Sequence, residues 1–159
     1  MIKRVLKPLR AATLTRNSLN QKSFSKSAFN SAQVPKAIGP YSHSVIWSPQ
    51  PMDKVIYSSG MLGLAPETGK LVSEEVGEQL DQALKNLSTL LGEAGTSLTN
   101  VMKVTIFLTN MSDYARINEV YCQHFTSEED APARSVVAVK ELPAGAKVEI
   151  ELVSIVQKQ

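Results

Sequence analysis

Ala131-Pro132-Ala133-Arg134-Ser135-Val136-Val137-Ala138-Val139 is an apolar, β-branched run opened by one arginine. Pro132 bounds it in front and Pro143 and Gly145 follow it, a composition and length that predict a buried strand. A guanidinium stays charged at any ordinary pH, so Arg134 needs a carboxylate or phosphate, from the protein or from a ligand. The rest of the chain decides which.

Outward from this run the chain alternates strand and helix patterns. After the Pro143/Gly145 turn, Lys147–Val156 predicts the last strand. Before the run, Tyr114, Ile117, Val120, Tyr121 and Phe125 make the apolar side of a helix capped by Ser112, with Asn118 beside the stripe. Val101–Leu108 is a strand with apolar residues at its even positions. Val76, Leu80, Ala83, Leu84, Leu87, Leu90, Leu91 and Ala94 recur at helical steps, with Ser73 as expected N-cap and Gly95 as a left-handed stop. Earlier still, His43–Trp47 and Lys54–Gly60 read as a hairpin around the Ser48–Asp53 turn, preceded by a Pro/Gly loop at Val34–Tyr41. Gly60 ends its strand where only a small residue permits close approach of another group.

The order is β-β-α-β-α-β-β, an α+β plan with two helices on one face of a mixed sheet of about five strands. The helices can cover Met102, Val104, Ile106 and Leu108 with Val148, Ile150 and Leu152. The other face presents Phe107, Val153 and Ile155 among Thr105, Glu149 and Glu151, too apolar for open water. A second copy of the chain is the expected cover, in a closed homo-oligomer.

A chain of 159 residues suits one domain. Its net charge of +2 conceals a split, since residues 1–36 hold eight Lys and Arg and no acid. Residues 37–159 hold the other nine against all fifteen Asp and Glu, a net of −6. The basic stretch, rich in Ser, Asn and Thr, has the composition of a mitochondrial transit peptide, expected over residues 1–33 with the domain at 34–159. A basic arm for nucleic acid or membrane is the competing reading of that stretch. No run approaches a transmembrane span. Cys122 is the single cysteine, which fits a reducing compartment. His43 and His124 are the only histidines and lack metal-ligand spacing, so no metal site is expected.

Tyr41, Ser59, Gly60, Asn118, Arg134 and Glu149 form the polar set of interest. Arg134 could hold a ligand carboxylate in its bidentate fork and Glu149 could hold or activate a water, with Tyr41 covering a small flat substrate and the Ser59-Gly60 edge offering amides. The competing reading is a structural salt bridge, because a short turn joins the strands of Arg134 and Glu149 and makes them expected neighbours.

Ala37-Ile38-Gly39-Pro40-Tyr41-Ser42, Ser59-Gly60, Asn118-Glu119-Val120-Tyr121, Pro132-Ala133-Arg134-Ser135 and Val148-Glu149-Ile150-Glu151, in this order, resemble the RidA/YjgF family of enamine/imine deaminases. The resemblance runs from about Ala37 to Val156. It implies a chorismate-mutase-like homotrimer with clefts between subunits, and hydrolysis of 2-aminoacrylate and related intermediates of pyridoxal-phosphate enzymes to 2-oxo acids and ammonia. It further implies that Arg134 clamps the substrate carboxylate and Glu149 orients the water. Tyr41, Ser59, Gly60, Asn118 and Val136 would line the cleft, and no cofactor would be needed. Two departures stand out: Val136 where the family often has cysteine, and Met61-Leu62-Gly63 where it often has Gln-Ile-Pro.

On this reading the protein is a mitochondrial matrix deaminase serving metabolite damage control around isoleucine biosynthesis. The alternative is a non-catalytic module that binds a small 2-oxo acid and is linked to branched-chain amino-acid metabolism or mitochondrial maintenance. RNA cleavage ranks last, because the net −6 domain lacks a phosphate-tracking surface and a histidine pair.

Overall fold

The computed structural model describes residues 25–36, 42–50, 53–126 and 131–156. Among these residues seven strands form one sheet: β1 (Ser25–Phe29), β2 (Ser44–Gln50), β3 (Asp53–Ser58), β4 (Met61–Leu62), β5 (Val101–Leu108), β6 (Ala133–Ala138) and β7 (Val148–Val156). Two helices, α1 (Val76–Glu93) and α2 (Tyr114–His124), pack on it. The strand order is β1-β2-β3-β7-β5-β6, with the short β4 also on β7. Only β5 and β6 run parallel, as the α2 crossover between them requires. The α+β architecture and mixed sheet follow the pattern in the sequence.

Val104, Ile106, Leu108, Val148 and Ile150 are fully buried against Leu80, Leu84, Leu87, Leu90 and Leu91 of α1 and Ile117 of α2. Each such side chain contributes on the order of 1.5–3 kcal/mol by leaving water. The opposite face of the sheet keeps Thr105, Phe107, Glu149, Glu151 and Val153 only half-buried, so the expected two-sidedness is present.

Six local expectations change. The strand of Arg134 is not buried: at the end of the strand order it leaves Ala133, Ser135, Val137 and Ala138 exposed and only Arg134 and Val136 half-buried. The strands of Arg134 and Glu149 are not neighbours, because β7 inserts between β3 and β5 while the parallel crossover sends β6 to the far edge. Met102 escapes the core at 45 % exposure, since a bulge between Val101 and Lys103 turns it outward. Ser73 is not the N-cap of α1: it accepts from the Glu75 amide, and Glu75 itself caps by accepting from Glu78 N. Nor does Ser112 cap α2, for it sits in a 3-10 turn capped by Asn110 that leads into the helix. Finally, the sheet starts before Val34, where the domain was expected to begin. Ser25–Phe29 pair with β2, and Phe29 packs on the core. The expected leader up to residue 24 lies outside the described residues, as does Tyr41.

Gly95 closes α1 as the pattern predicts. Its φ is +85°, and Thr96 N donates to Leu91 O at 2.9 Å, which satisfies a carbonyl of the last turn. Buried Gln79 then locks α1 to the sheet, its side chain donating to Ser73 O and accepting from Lys147 N, both at 2.8 Å. Gly63 lets β4 approach this turn, for a Cβ there would meet Gln79 O at 2.3 Å.

Candidate active site

Arg134 is the second residue of β6 and pairs with Val104, so its side chain leaves the sheet on the helix side. No carboxylate meets it among the described residues. Aromatic rings do. The guanidinium carbon lies 4.4 Å from the ring centroid of Tyr121 and 5.8 Å from that of Tyr114. Arg134 Nη2 also donates to the Tyr114 hydroxyl at 3.2 Å. Val136, two residues on and on the same side, packs partly into the core, and among the described residues β6 pairs on one edge only, which leaves alternate backbone groups without a sheet partner there.

Glu149 emerges on the other face. It lies opposite Phe107 of β5 and Leu62 of β4. Burial pushes its carboxyl pKa up, and the neighbouring negative charge of Glu151 pushes the same way. The break between β3 and β4 receives this carboxyl: a Cβ built on Gly60 would lie 1.7 Å from Glu149 Oε1. The close approach expected at Gly60 is therefore that of the Glu149 carboxylate. Ser59 secures the break, its amide donating to His43 O at 2.8 Å and its hydroxyl to Ser42 O at 2.6 Å.

The register removes the structural salt bridge within one protomer. Arg134 aligns with Val104 and, across β5, with Leu152, three residues from Glu149 and therefore on the opposite face. Two strand spacings and three residues of rise separate the two backbones by roughly 14 Å. Ser59, Gly60 and Glu149 are together, Arg134 stands with Asn118 and Val136 on the helix side, and one protomer does not join the groups. Asn118 Oδ1 is buried without a hydrogen-bond partner, as is the Tyr121 hydroxyl one turn further along α2.

Tyr114 was legible only as part of an apolar helix stripe, and Tyr121 as part of that stripe and of the Asn118–Tyr121 segment, with neither singled out for the site. Their seven-residue spacing puts both on one side of α2, and the helix feeds directly into the arginine strand, which was the available signal. The histidines are both engaged. Nδ1 of buried His43 accepts from Ser31 N at 3.1 Å, and His124 Nε2 lies 2.8 Å from Asp81 Oδ1, tying α2 to α1. Among the described residues no group of three or more His, Cys, Asp and Glu could hold a metal ion, and no helix is long and apolar enough to cross a membrane.

Residues 31–156 match the family model described as Endoribonuclease L-PSP, and the chain belongs to that family, of which the RidA proteins are members. It is 44 % identical over 126 residues to a human protein named 2-iminobutanoate/2-iminopropanoate deaminase, covering 79 % of this chain and 87 % of that one. An Arabidopsis thaliana protein named Reactive Intermediate Deaminase A, chloroplastic, is 38 % identical over 137 residues, 86 % of this chain and 70 % of its own. Among solved structures, yeast Mmf1 superposes with a TM-score of 0.73 at 30 % identity over 84 % of this chain and all of that one. E. coli TdcF with bound serine gives 0.71 at 32 % identity, over 81 % and 98 %.

Proposed function

We infer that this protein is a hydrolytic deaminase of 2-aminoacrylate and related enamine/imine acids, producing 2-oxo acids and ammonia. The observation that carries the mechanism is a guanidinium supported by aromatic rings and unpaired with acid among the described residues. That group has its charge and its donor fork to offer to a substrate carboxylate. The relatives' names support the reaction class and do not favour a binding module without catalysis.

The enamine first tautomerises to its imine, whose carbon is electrophilic. Arg134 holds the carboxylate and so fixes where that carbon sits. Glu149, which burial and the charge of Glu151 make more basic than an ordinary carboxylate, takes a proton from the attacking water. The water oxygen bonds to the imine carbon, and the nitrogen takes a proton to give a carbinolamine. Collapse of that adduct breaks the C–N bond, releases ammonia and leaves the 2-oxo acid. The substrate supplies the electrophile, so positioning and one base suffice and no cofactor enters the scheme.

Arg134 and Glu149 leave opposite faces of one sheet, so a cleft containing both requires a second copy. We therefore place the site between subunits of a homotrimer, with Tyr41, Ser59, Gly60, Asn118 and Val136 as its lining. The half-buried apolar residues of the outer face and the open edge of β6 support such an assembly. The basic, acid-free N-terminal stretch supports a mitochondrial matrix location, where the substrates would come from serine and threonine dehydration, the latter on the route to isoleucine.

The test generates 2-aminoacrylate in situ with a serine dehydratase and follows its loss. Acceleration by the parent, with loss in Arg134→Ala and Glu149→Gln, is expected. A folded parent that fails to accelerate the loss overturns the reaction. Light scattering tests the assembly, and an active monomer would exclude the shared cleft.

A further inference from the structure

We propose that Tyr121, assisted by Tyr114, is a positioning residue that holds the Arg134 guanidinium in place, without neutralising it, and aimed at the substrate carboxylate. This inference rests on the deaminase reading of Arg134. A half-buried cation such as Arg134 is ordinarily stabilised by an acid, and that solution would spend the charge the reaction needs. The face of an aromatic ring attracts a cation without cancelling it. A guanidinium held against a ring keeps its N–H edge available for a bidentate anion. The 4.4 Å distance from the Arg134 guanidinium carbon to the Tyr121 centroid is within the reach of that interaction.

Tyr121 is itself immobilised. It is 7 % exposed and stacks on Phe125, centroid to centroid 4.4 Å with 23° between the planes. Burial pushes its phenol pKa up to about 12, against the pull of Arg134, so at working pH the ring bears no phenolate that would neutralise the guanidinium. Tyr114, two turns earlier on α2, sits 5.8 Å from the same carbon and accepts the 3.2 Å bond from Nη2. One ring therefore supports the plane while the other restrains rotation about the arginine stem. A core tyrosine whose hydroxyl finds no hydrogen-bond partner is otherwise a poor choice, and its π-face explains it.

The experiment measures kcat and KM on 2-aminoacrylate formed in situ, and the Kd of pyruvate as a carboxylate probe, for Tyr121→Phe, Tyr121→Leu, Tyr114→Phe and Arg134→Ala. Tyr121→Phe keeps the ring and should stay within about twofold of the parent, whereas Tyr121→Leu should raise KM and the pyruvate Kd about tenfold with kcat nearly unchanged. In an Arg134→Ala background the Tyr121→Leu effect should vanish, which a packing role would not produce. Tyr114 is 40 % exposed, so Tyr114→Phe tests the hydrogen bond even where Tyr121→Leu does not fold, and it should raise KM about threefold. An unchanged KM in folded Tyr121→Leu, or an equal loss in Tyr121→Phe, overturns the inference. If Tyr121→Leu does not fold, an unchanged Tyr114→Phe does so. If Arg134→Ala alone leaves turnover and pyruvate binding intact, the assignment of Arg134 fails and this inference with it.

Discussion

Gly60→Ala separates function from stability in one substitution. The new Cβ would stand 1.7 Å from Glu149 Oε1 and 2.6 Å from Cδ, while ordinary contact begins near 3.4 Å. The obstructing atoms are the far end of a flexible side chain, so the carboxylate oxygen swings away by about 1.7 Å and the backbone stays. Misplacement of a reacting group by about 1 Å costs roughly 10²-fold, so kcat/KM should fall by at least that factor, about 2.7 kcal/mol of transition-state stabilisation. Gly60 does not adopt positive φ, so alanine fits its backbone and should add about 0.4–1 kcal/mol of stability by restricting the unfolded chain. The assay pairs steady-state consumption of 2-aminoacrylate with thermal denaturation of the same preparation. A variant that melts at or above the parent temperature and is 10²-fold slower fits the argument. Full activity in a folded Gly60→Ala would show that the position of Glu149 against Gly60 has no part in the chemistry.

Glu151→Gln removes the second of the two causes that raise the Glu149 pKa, so the acid limb of the kcat/KM profile should move to lower pH, measured from pH 4 to 8. The linked stability has a definite sign: a carboxyl whose folded pKa exceeds its unfolded value stabilises the protein at low pH and loses that contribution as pH rises through the folded pKa. Melting temperatures of Glu149→Gln should therefore not show that fall. Gly63→Ala drives a Cβ to 2.3 Å from Gln79 O and 2.5 Å from its Cα, both backbone, and should cost about 1–3 kcal/mol in urea denaturation. A chain that starts at Val34 loses β1, the Phe29 packing, the bond that His43 N donates to Asn30 Oδ1 and the bond that Ser31 N donates to His43 Nδ1. Its melting temperature should fall by roughly 6–8 °C, about 2 kcal/mol, relative to one that starts ahead of Ser25.

Periodicity in the chain was enough to place α1, α2, β5, β6 and β7 and, Met102 apart, the faces of α1, β5 and β7, though not β1 or β4. The 3.6-residue recurrence along α1, the alternation along β5 and β7 and the stop at Gly95 are local rules, and the chain obeys them. It also marked Arg134, because a permanent cation in an apolar run is conspicuous without any coordinates. The tertiary structure alone decided what that arginine meets. The nine-residue connection between β6 and β7, with its Pro143/Gly145 turn, reads as adjacency, but β5 separates them, since strand order depends on which edge a crossover reaches rather than on loop length. From that order follow the opposite faces of Arg134 and Glu149. The place of Glu149 against Gly60, the bulge that exposes Met102 and the tyrosine cradle likewise depend on contacts between segments far apart in the chain. Periodicity fixes which side of its own element a residue occupies, and only packing determines what stands there.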